Sequence, residues 1–407
     1  MVDPVTPSQG APSTPNPYEI ATIITQYGEW TAWESVWVQH RWADSSALFR
    51  FTTAEFSPMP TQWENLKLLP GDYLHILLGG QLALKDGLIV ERQVGYDAMS
   101  HSVQLSGKSL TWIAATSSVD PPRSFDGMGI VDVAHALFDH YGVGVVTIGS
   151  PDNSPFKNLQ SQPGEFNWDF LETHARPRGV VLGSDHLSNF LIIGDHANPI
   201  IATLQEGVNI KRMNCIISIE NPYAIYGATA IGSAGSDDQW GSDISDLRRY
   251  APGQGPAGRN ILVPAPSSIQ TVSDVQKMAH NEAKWSDGTK IQASVVVQGW
   301  MKPGTTQLWH AGDNVSVWSP MAVINNQIMK IQTVTFTQDR NTGTETTLDL
   351  VVPWLLNDKV KGVVDLMQDS QDLIDTAGGF RNTLQSAQQQ QTTPPPPAQQ
   401  PFPLPEE

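Results

Sequence analysis

Five histidines, His135, His140, His174, His186 and His196, fall in one stretch of the chain, and within it the acids Asp169, Glu172, Asp185 and Asp195 lie close in sequence. Imidazole and carboxylate are the side chains of metal ligation and of acid–base catalysis. Their spacing supports neither. His135 and His140 stand five apart, so they do not share a helical face as a zinc pair at i, i+4 would, and the metalloprotease glutamate is missing between them. A glycosidase needs two carboxylates facing one cleft. Spacing along the chain does not supply that, and an aromatic beside an acid, as at Trp168-Asp169, is a weak sign of sugar binding. The reading is surface or core histidines and solvated acids.

Other motifs fail on context. Ser106-Gly107-Lys108-Ser109-Leu110 resembles the edge of a phosphate-binding loop but lacks its upstream glycine. Gly253-Gln254-Gly255-Pro256-Ala257-Gly258 spells GxGxxG, yet it carries a proline and is expected neither to follow a strand nor to open a helix. No Gly-x-Ser-x-Gly elbow occurs. Cys215 is the single cysteine, which removes disulfides and cysteine-based metal sites, and its apolar neighbours suggest a small buried hydrophobe. No residue is assigned a catalytic, cofactor-binding or metal-binding role, and no cofactor is expected.

The chain has 407 residues, enough for two to four domains. Gly 33 and Pro 30, with only 16% charged residues, suit many short strands and turns. The formal net charge of −17 argues against holding nucleic acid on the bulk surface, because phosphate contacts need Lys and Arg. No apolar run reaches the roughly 18 residues of a membrane helix. Met1 to Pro17 is rich in Pro, Ser and Thr and reads as a flexible or partner-bound arm, without the basic start and apolar centre of a signal peptide. Four tryptophans, Trp30, Trp33, Trp37 and Trp42, crowd the start of the next segment. A helix would place Trp33 and Trp37 on one face. Alternation from Ser35 to Trp42 favours a strand, which turns at Asp44-Ser45-Ser46 into a partner spanning Ala47 to Phe56. Core packing is the first role for these tryptophans and interface the second.

Helical periodicity enters after Leu110. Ile130, Val133, Ala134, Leu137, Phe138 and Tyr141 predict a helix stopped by Gly142. Val143 to Ile148 follows as a strand. Glu165 to Arg176 is a second helix, with Phe166, Phe170 and Leu171 on one face and Pro177 at its end. Val180 to Gly183 and Phe190 to Ile193 form a hairpin around Asp185 to Asn189. Strands return at Ile216 to Ile219 and Ala224 to Ile231, then a polar loop from Ser233 to Gly258. Ser273 with Gln276 suggests a capping box for a helix with Val275, Met278, Ala279 and Ala283 inside. Lys290 to Gly299 is a strand, and Lys361 to Gln391 a helix candidate broken at Gly378-Gly379.

A meander from Leu308 to Pro353 ties the chain together. Asn314 to Trp318, Ile328 to Thr337 and Thr346 to Val352 alternate as strands, with turn chemistry at Ser319-Pro320, Asn325-Asn326 and Asp339 to Gly343. Leu69 to Leu105 echoes it. Gly71-Asp72 matches Gly312-Asp313, Lys85-Asp86-Gly87 matches Asn325-Asn326, and the strands recur in order with a one-residue gap. The expectation is a duplicated β-domain.

This order, with Val103 to Leu110, Phe170-Leu171-Glu172-Thr173-His174-Ala175-Arg176-Pro177-Arg178-Gly179-Val180, and the meander from Gly312-Asp313 to Leu350, resembles the baseplate hub proteins of contractile-tailed phages, especially the Mu-like phage tail protein. The resemblance spans roughly Tyr18 to Leu356. It departs from the family in its acidic balance, its Trp-rich start and its long Pro/Gln tail. It implies a mainly β fold with α+β insertions: two tail-tube-like β-barrel domains, each associated with a smaller α/β insertion. It implies a homotrimer joining a hexameric tail tube to a trimeric central spike beside other baseplate proteins. Such a protein is assembled in the host cytoplasm and carried in the virion, with DNA only passing through an acidic channel.

The expected layout is an arm at 1–17, a first tube-like domain at 18–108, an α+β insertion at 109–201, a second tube-like domain at 202–235 and 303–356, a small insertion at 236–302, a helical extension at 357–391 and a tail at 392–407. A β-rich wall-degrading hydrolase and a carbohydrate-binding tail protein are the rival readings.

Overall fold

The structure, a computed structural model, describes residues 19–53, 68–97, 101–119, 124–157, 159–231, 246–266 and 271–359. The arm at 1–17, the 361–391 helix candidate and the tail at 392–407 lie outside them. So do Ala54 to Phe56, where the second expected strand was to end.

Seven strands come first among the described residues: β1 (Ala21–Thr25), β2 (Gly28–Trp30), β3 (Ser35–Arg41), β4 (Leu48–Thr53), β5 (Tyr73–Leu78), β6 (Gln81–Tyr96) and β7 (His101–Ser109). The tryptophan-rich segment is the expected strand, with Val36, Val38 and His40 facing in. Trp33 packs edge-on against Phe51 at 4.9 Å. The insertion follows, with α1 (Thr111–Ala115), α2 (Ile130–Phe138), β8 (Val145–Ile148), α3 (Asn167–Ala175), β9 (Val181–Ser184) and β10 (Phe190–Ile193). Its helices pack on a separate core that includes Phe138, Phe170, Leu171 and Phe190. Phe166 is a departure: it is extended at the start of α3 and 46% exposed, because the helix begins one residue after it.

The chain then makes β11 (Ile200–Gln205), β12 (Arg212–Ile217), β13 (Ile225–Ile231), β14 (Asp246–Pro252), β15 (Asn260–Pro264), α4 (Val272–Gly288), β16 (Ile291–Gln298), β17 (Asn314–Ser319), β18 (Ile324–Asp339) and β19 (Gly343–Val351). β14 and β15 fall in and beside the stretch read as a polar loop. They pair with β13 and bury its small residues Ala228 and Ala230 under α4. The α4 cap is also not where the capping box placed it. Thr271 accepts from Asp274 N and donates to the Asp274 carboxylate, while Gln276 reaches sideways to the Tyr250 carbonyl. The stripe Val275, Met278, Ala279 and Ala283 is buried as expected.

Thirteen strands form one continuous sheet, ordered β12-β16-β19-β18-β3-β4-β7-β6-β5-β1-β2, with β17 pairing to β18 and β11. The fold is mainly β with small helical insertions. No closed barrel occurs among the described residues, where the two expected tail-tube-like β units share one open strand path.

The duplication is visible atom by atom. Asp72 Oδ2 accepts from Leu69 N at 2.8 Å, and Asp313 Oδ2 from His310 N at 3.2 Å. Gly71 N donates to Ile89 O at 2.9 Å, and Gly312 N to Ile331 O at 2.8 Å. Ile89 N returns to Asp72 O at 3.0 Å, and Ile331 N to Asp313 O at 2.9 Å. Each long strand then bulges at the same place, between Ile89 and Glu91 in β6 and between Ile331 and Thr333 in β18. Gly71 and Gly312 both take positive φ, which only glycine adopts without strain. The expected turns at Lys85-Asp86-Gly87 and Asn325-Asn326 are instead inside β6 and β18, where Asp86 and Asn326 take positive φ. The chain reverses one step earlier in both copies, at Gly79-Gly80 and after Ser319.

Candidate functional site

Three parts of the chain converge on one seam: the β3–β4 turn, the insertion hairpin of β9 and β10, and the Gly312-Asp313 turn. Ser184 Oγ donates to Asp44 O at 2.9 Å, and Lys85 N to His186 O at 2.8 Å. Trp42 is buried against Leu191, Ile193 and Val351. A pocket of about 290 Å³ opens there, lined by His40, His186, His310, Trp42, Asp185 and Asp313 among others. The His186 and His310 rings lie 4.7 Å apart. Burial, then repulsion from the two other rings, pushes His40 down to about 3. Burial, then His186, pushes His310 down to about 4. These imidazoles are neutral at pH 7 and pack as rings. The two acids are engaged elsewhere: Asp185 accepts from the Leu187 and Asn189 amides, and Asp313 pairs with Lys302 at 2.9 Å.

Next to the pocket lies a polar core. Lys330 and Asp358 have fully buried side chains 2.6 Å apart. Lys330 Nζ also meets His196 Nε2 at 3.1 Å. Asn314 Nδ2 donates to Asp358 Oδ2 at 2.9 Å and to Asn198 O at 3.0 Å. Burial pushes Lys330 below its ordinary value, and the Asp358 hydrogen bond and charge oppose this. The network joins the end of the insertion, the meander and the last described residues. It is a clamp, with its charges satisfied and sealed from substrate.

The sequence-singled residues are scattered. His135 pairs with Asp139 at 3.0 Å on the surface. The His140 ring lies 3.9 Å from that of Tyr141, tilted by 42°. His174 is buried, and burial followed by Arg178 pushes it down to about 4. Glu172 accepts from Trp168 Nε1 at 3.1 Å, Thr173 Oγ1 donates to Asp169 O, and Asp195 pairs with Lys359 and Lys284. Of these histidines and acids, His186, His196 and Asp185 reach the seam. Spacing missed His40, His310, Lys330 and Asp358, because they come from distant segments; a lysine in an otherwise apolar strand at Met329-Lys330-Ile331 was the one signal present. Gly107 sits in β7 under Phe49, where a Cβ would come within 2.3 Å of the ring, so the phosphate-loop look-alike is a packing glycine. Gly253 and Gly255 likewise pack on Tyr226 and the Pro222 carbonyl. Cys215 is half-buried on β12, and burial raises its thiol. Among the described residues no group of three or more His, Cys, Asp or Glu is arranged to hold a metal ion. No described helix is long and apolar enough to cross a membrane.

Two insertions brace each other across this face. Arg176 pairs with Glu282 at 3.2 Å, Lys277 with Asp152 at 3.2 Å, and Asn281 donates to Pro177 O at 3.1 Å. The site that results is an interlocked joint between duplicated β units.

Comparison with known proteins agrees with that architecture. Residues 100–194 match the family described as baseplate hub protein gp44-like, second domain. The fold is similar to the 43 kDa tail protein of prophage MuSo2 from Shewanella oneidensis, with 18% identity, TM-score 0.69 and coverage of 84% of this chain and 100% of that one. It is similar to a tail protein from Neisseria meningitidis MC58, with 20% identity, TM-score 0.68 and coverage of 83% and 98%. It is also similar to a chain in a PdpA–VgrG complex from Francisella, with 9% identity, TM-score 0.50 and coverage of 85% and 60%. No curated protein matches the sequence. Residues 100–194 are thus similar to the second domain of the gp44-like baseplate hub proteins, and the overall fold is similar to that of phage tail proteins.

Proposed function

We propose that this protein is the structural hub of a contractile phage tail baseplate: a trimeric adaptor that joins the hexameric tail tube to the trimeric central spike and lines the DNA channel. The duplicated Gly-Asp turn, with its matched hydrogen bonds and bulges, carries the reading. Two like β units per chain, taken three times, present six like units to a six-fold tube and three chains to a three-fold spike. The partners are therefore the tube protein, the spike protein and neighbouring baseplate proteins, and the location is the virion tail. The relatives are named tail proteins, and the family is named for the baseplate hub. On this reading the boundaries given above divide each chain into two tube-like units and two insertions. The protein does no catalysis. The charge of −17 has a use in this setting, since an acidic wall repels the phosphates of passing DNA.

Imaging the purified full chain, with its mass measured by light scattering, tests this. The expected result is a three-fold particle with a central channel walled by acids. A monomer, or a ring whose wall is neutral or basic, would overturn the adaptor or its acidic lining respectively.

A further inference from the structure

The duplication shows how one copy of this chain holds the next. Strand pairing aligns the two units residue by residue. Phe49 pairs with Gly107 and Val38 in the first unit, as Ala293 pairs with Leu350 and Cys215 in the second. So β3 corresponds to β12, β4 to β16, β5 to β17, β6 to β18 and β7 to β19. Among the described residues one strand pairing joins the units within the chain: the far half of β18 runs antiparallel to β3, placing Phe336 opposite Val38 and Gln338 opposite Val36. At that joint Phe336 is 2% exposed and Val38 0%.

The corresponding strands in the opposite sense are β6 and β12, and in one chain they do not meet. Among the described residues β6 pairs only with β5 and β7, and β12 only with β16. The position matching Phe336 is Val94, which is 53% exposed, and beside it Tyr96 is 79% exposed. The strand matching β3 ends in Ile216 and Ile217, each 55% exposed. Among the described residues no further strand thus lies beside residues 91–96 of β6 or on the outer edge of β12, the two halves of a joint that is sealed inside the chain.

We propose that residues 91–96 of one subunit pair antiparallel with β12 of a second copy, in the register of the internal joint: Val94 opposite Cys215 of the partner subunit and Tyr96 opposite Met213 of the partner subunit. The contact is head-to-tail, and such contacts close into rings when the rotation permits. Its occupant is a second copy because the same two strand types already pair this way once in every chain. Closure after three chains rests on the hub reading; the register does not.

The native Cys215 makes the test direct, because directly opposed residues lie within disulfide reach. In the full-length protein, Val94→Cys treated with a mild thiol oxidant gives bands at two and three times the monomer mass on a non-reducing gel. Gln93→Cys, which faces the other side of the strand, gives none, and Cys215→Ser added to Val94→Cys abolishes them. Val94→Asp, at a position exposed in the isolated subunit, keeps the fold by circular dichroism and yields monomer. A trimer in solution without the Val94→Cys cross-link overturns this register while the hub reading stands. A wild-type monomer overturns both.

Discussion

Lys330 and Asp358 meet 2.6 Å apart with both side chains sealed from solvent. Removing one partner of such a pair leaves the other charge buried and uncompensated, at a cost of about 3–5 kcal/mol. Asp358→Asn is expected to destabilise by about that amount in urea titrations, and Lys330→Met combined with Asp358→Asn by less than the two single changes summed. The histidines set the response to acid. His40 at about 3, and His174 and His310 at about 4, lie below the ordinary 6.5, so the folded state binds fewer protons than the unfolded one. Their stabilisation is complete above pH ~6.5 and is lost as pH falls toward the folded values, by up to about 1.4 kcal/mol per pH unit for each group. Melting temperature should therefore fall from pH 6.5 to 4, and less steeply in His40→Gln. Little of this was legible in the sequence. His40 comes from the far end of the chain, Lys330 and Asp358 stand 28 positions apart, and burial is decided by packing that no local spacing records.

Among the elements, the two Gly-Asp turns offer a controlled comparison. Gly71 and Gly312 share positive φ and the same hydrogen bonds, but a Cβ at Gly71 meets nothing within 4 Å while one at Gly312 lies 2.4 Å from the Trp42 ring. Gly71→Ala carries backbone strain of roughly 1 kcal/mol. Gly312→Ala adds overpacking of about 1–3 kcal/mol, so its midpoint in thermal unfolding should drop distinctly further. The elements themselves were mostly legible. Period-two alternation found β3, β17 and β19, and the apolar stripe found α2 and α4. What alternation could not find were β14 and β15, because a sheet that packs small alanines under a helix has little hydrophobic contrast. Local capping signals also compete: Thr271 with Asp274 won over Ser273 with Gln276, since the Thr271 hydroxyl accepts from Asp274 N and donates to the Asp274 carboxylate.

At the scale of the molecule the duplication was legible because turn glycines and bulges are fixed by backbone geometry and survive when side chains drift. Closure was not legible. Alternation specifies which face of a strand is buried, and leaves open which strand lies beside it. In the chain the sheet runs on through the β18–β3 joint, making one core that includes Phe49, Val38, Ile331 and Leu350. Hydrogen exchange should therefore find residues 333–338 among the slowest in monomer and assembly alike. Residues 91–96 and 212–217 should be fast in a Val94→Asp monomer and slow in the assembled protein.

The clamp has a consequence for the order of synthesis. Asp358 is translated after every strand and helix described, yet it supplies the counter-charge for a lysine in the middle of the sheet. In a nascent chain still lacking residue 358, Lys330 at the centre of the seam is without its carboxylate partner. The ribosome thus releases the seam's last lock only when both β units have been made, and a half-made chain is held back from the joint that a finished one closes. A polypeptide stopped at residue 357 should accumulate as a protease-sensitive, loosely packed species, whereas one stopped at residue 359 resists digestion.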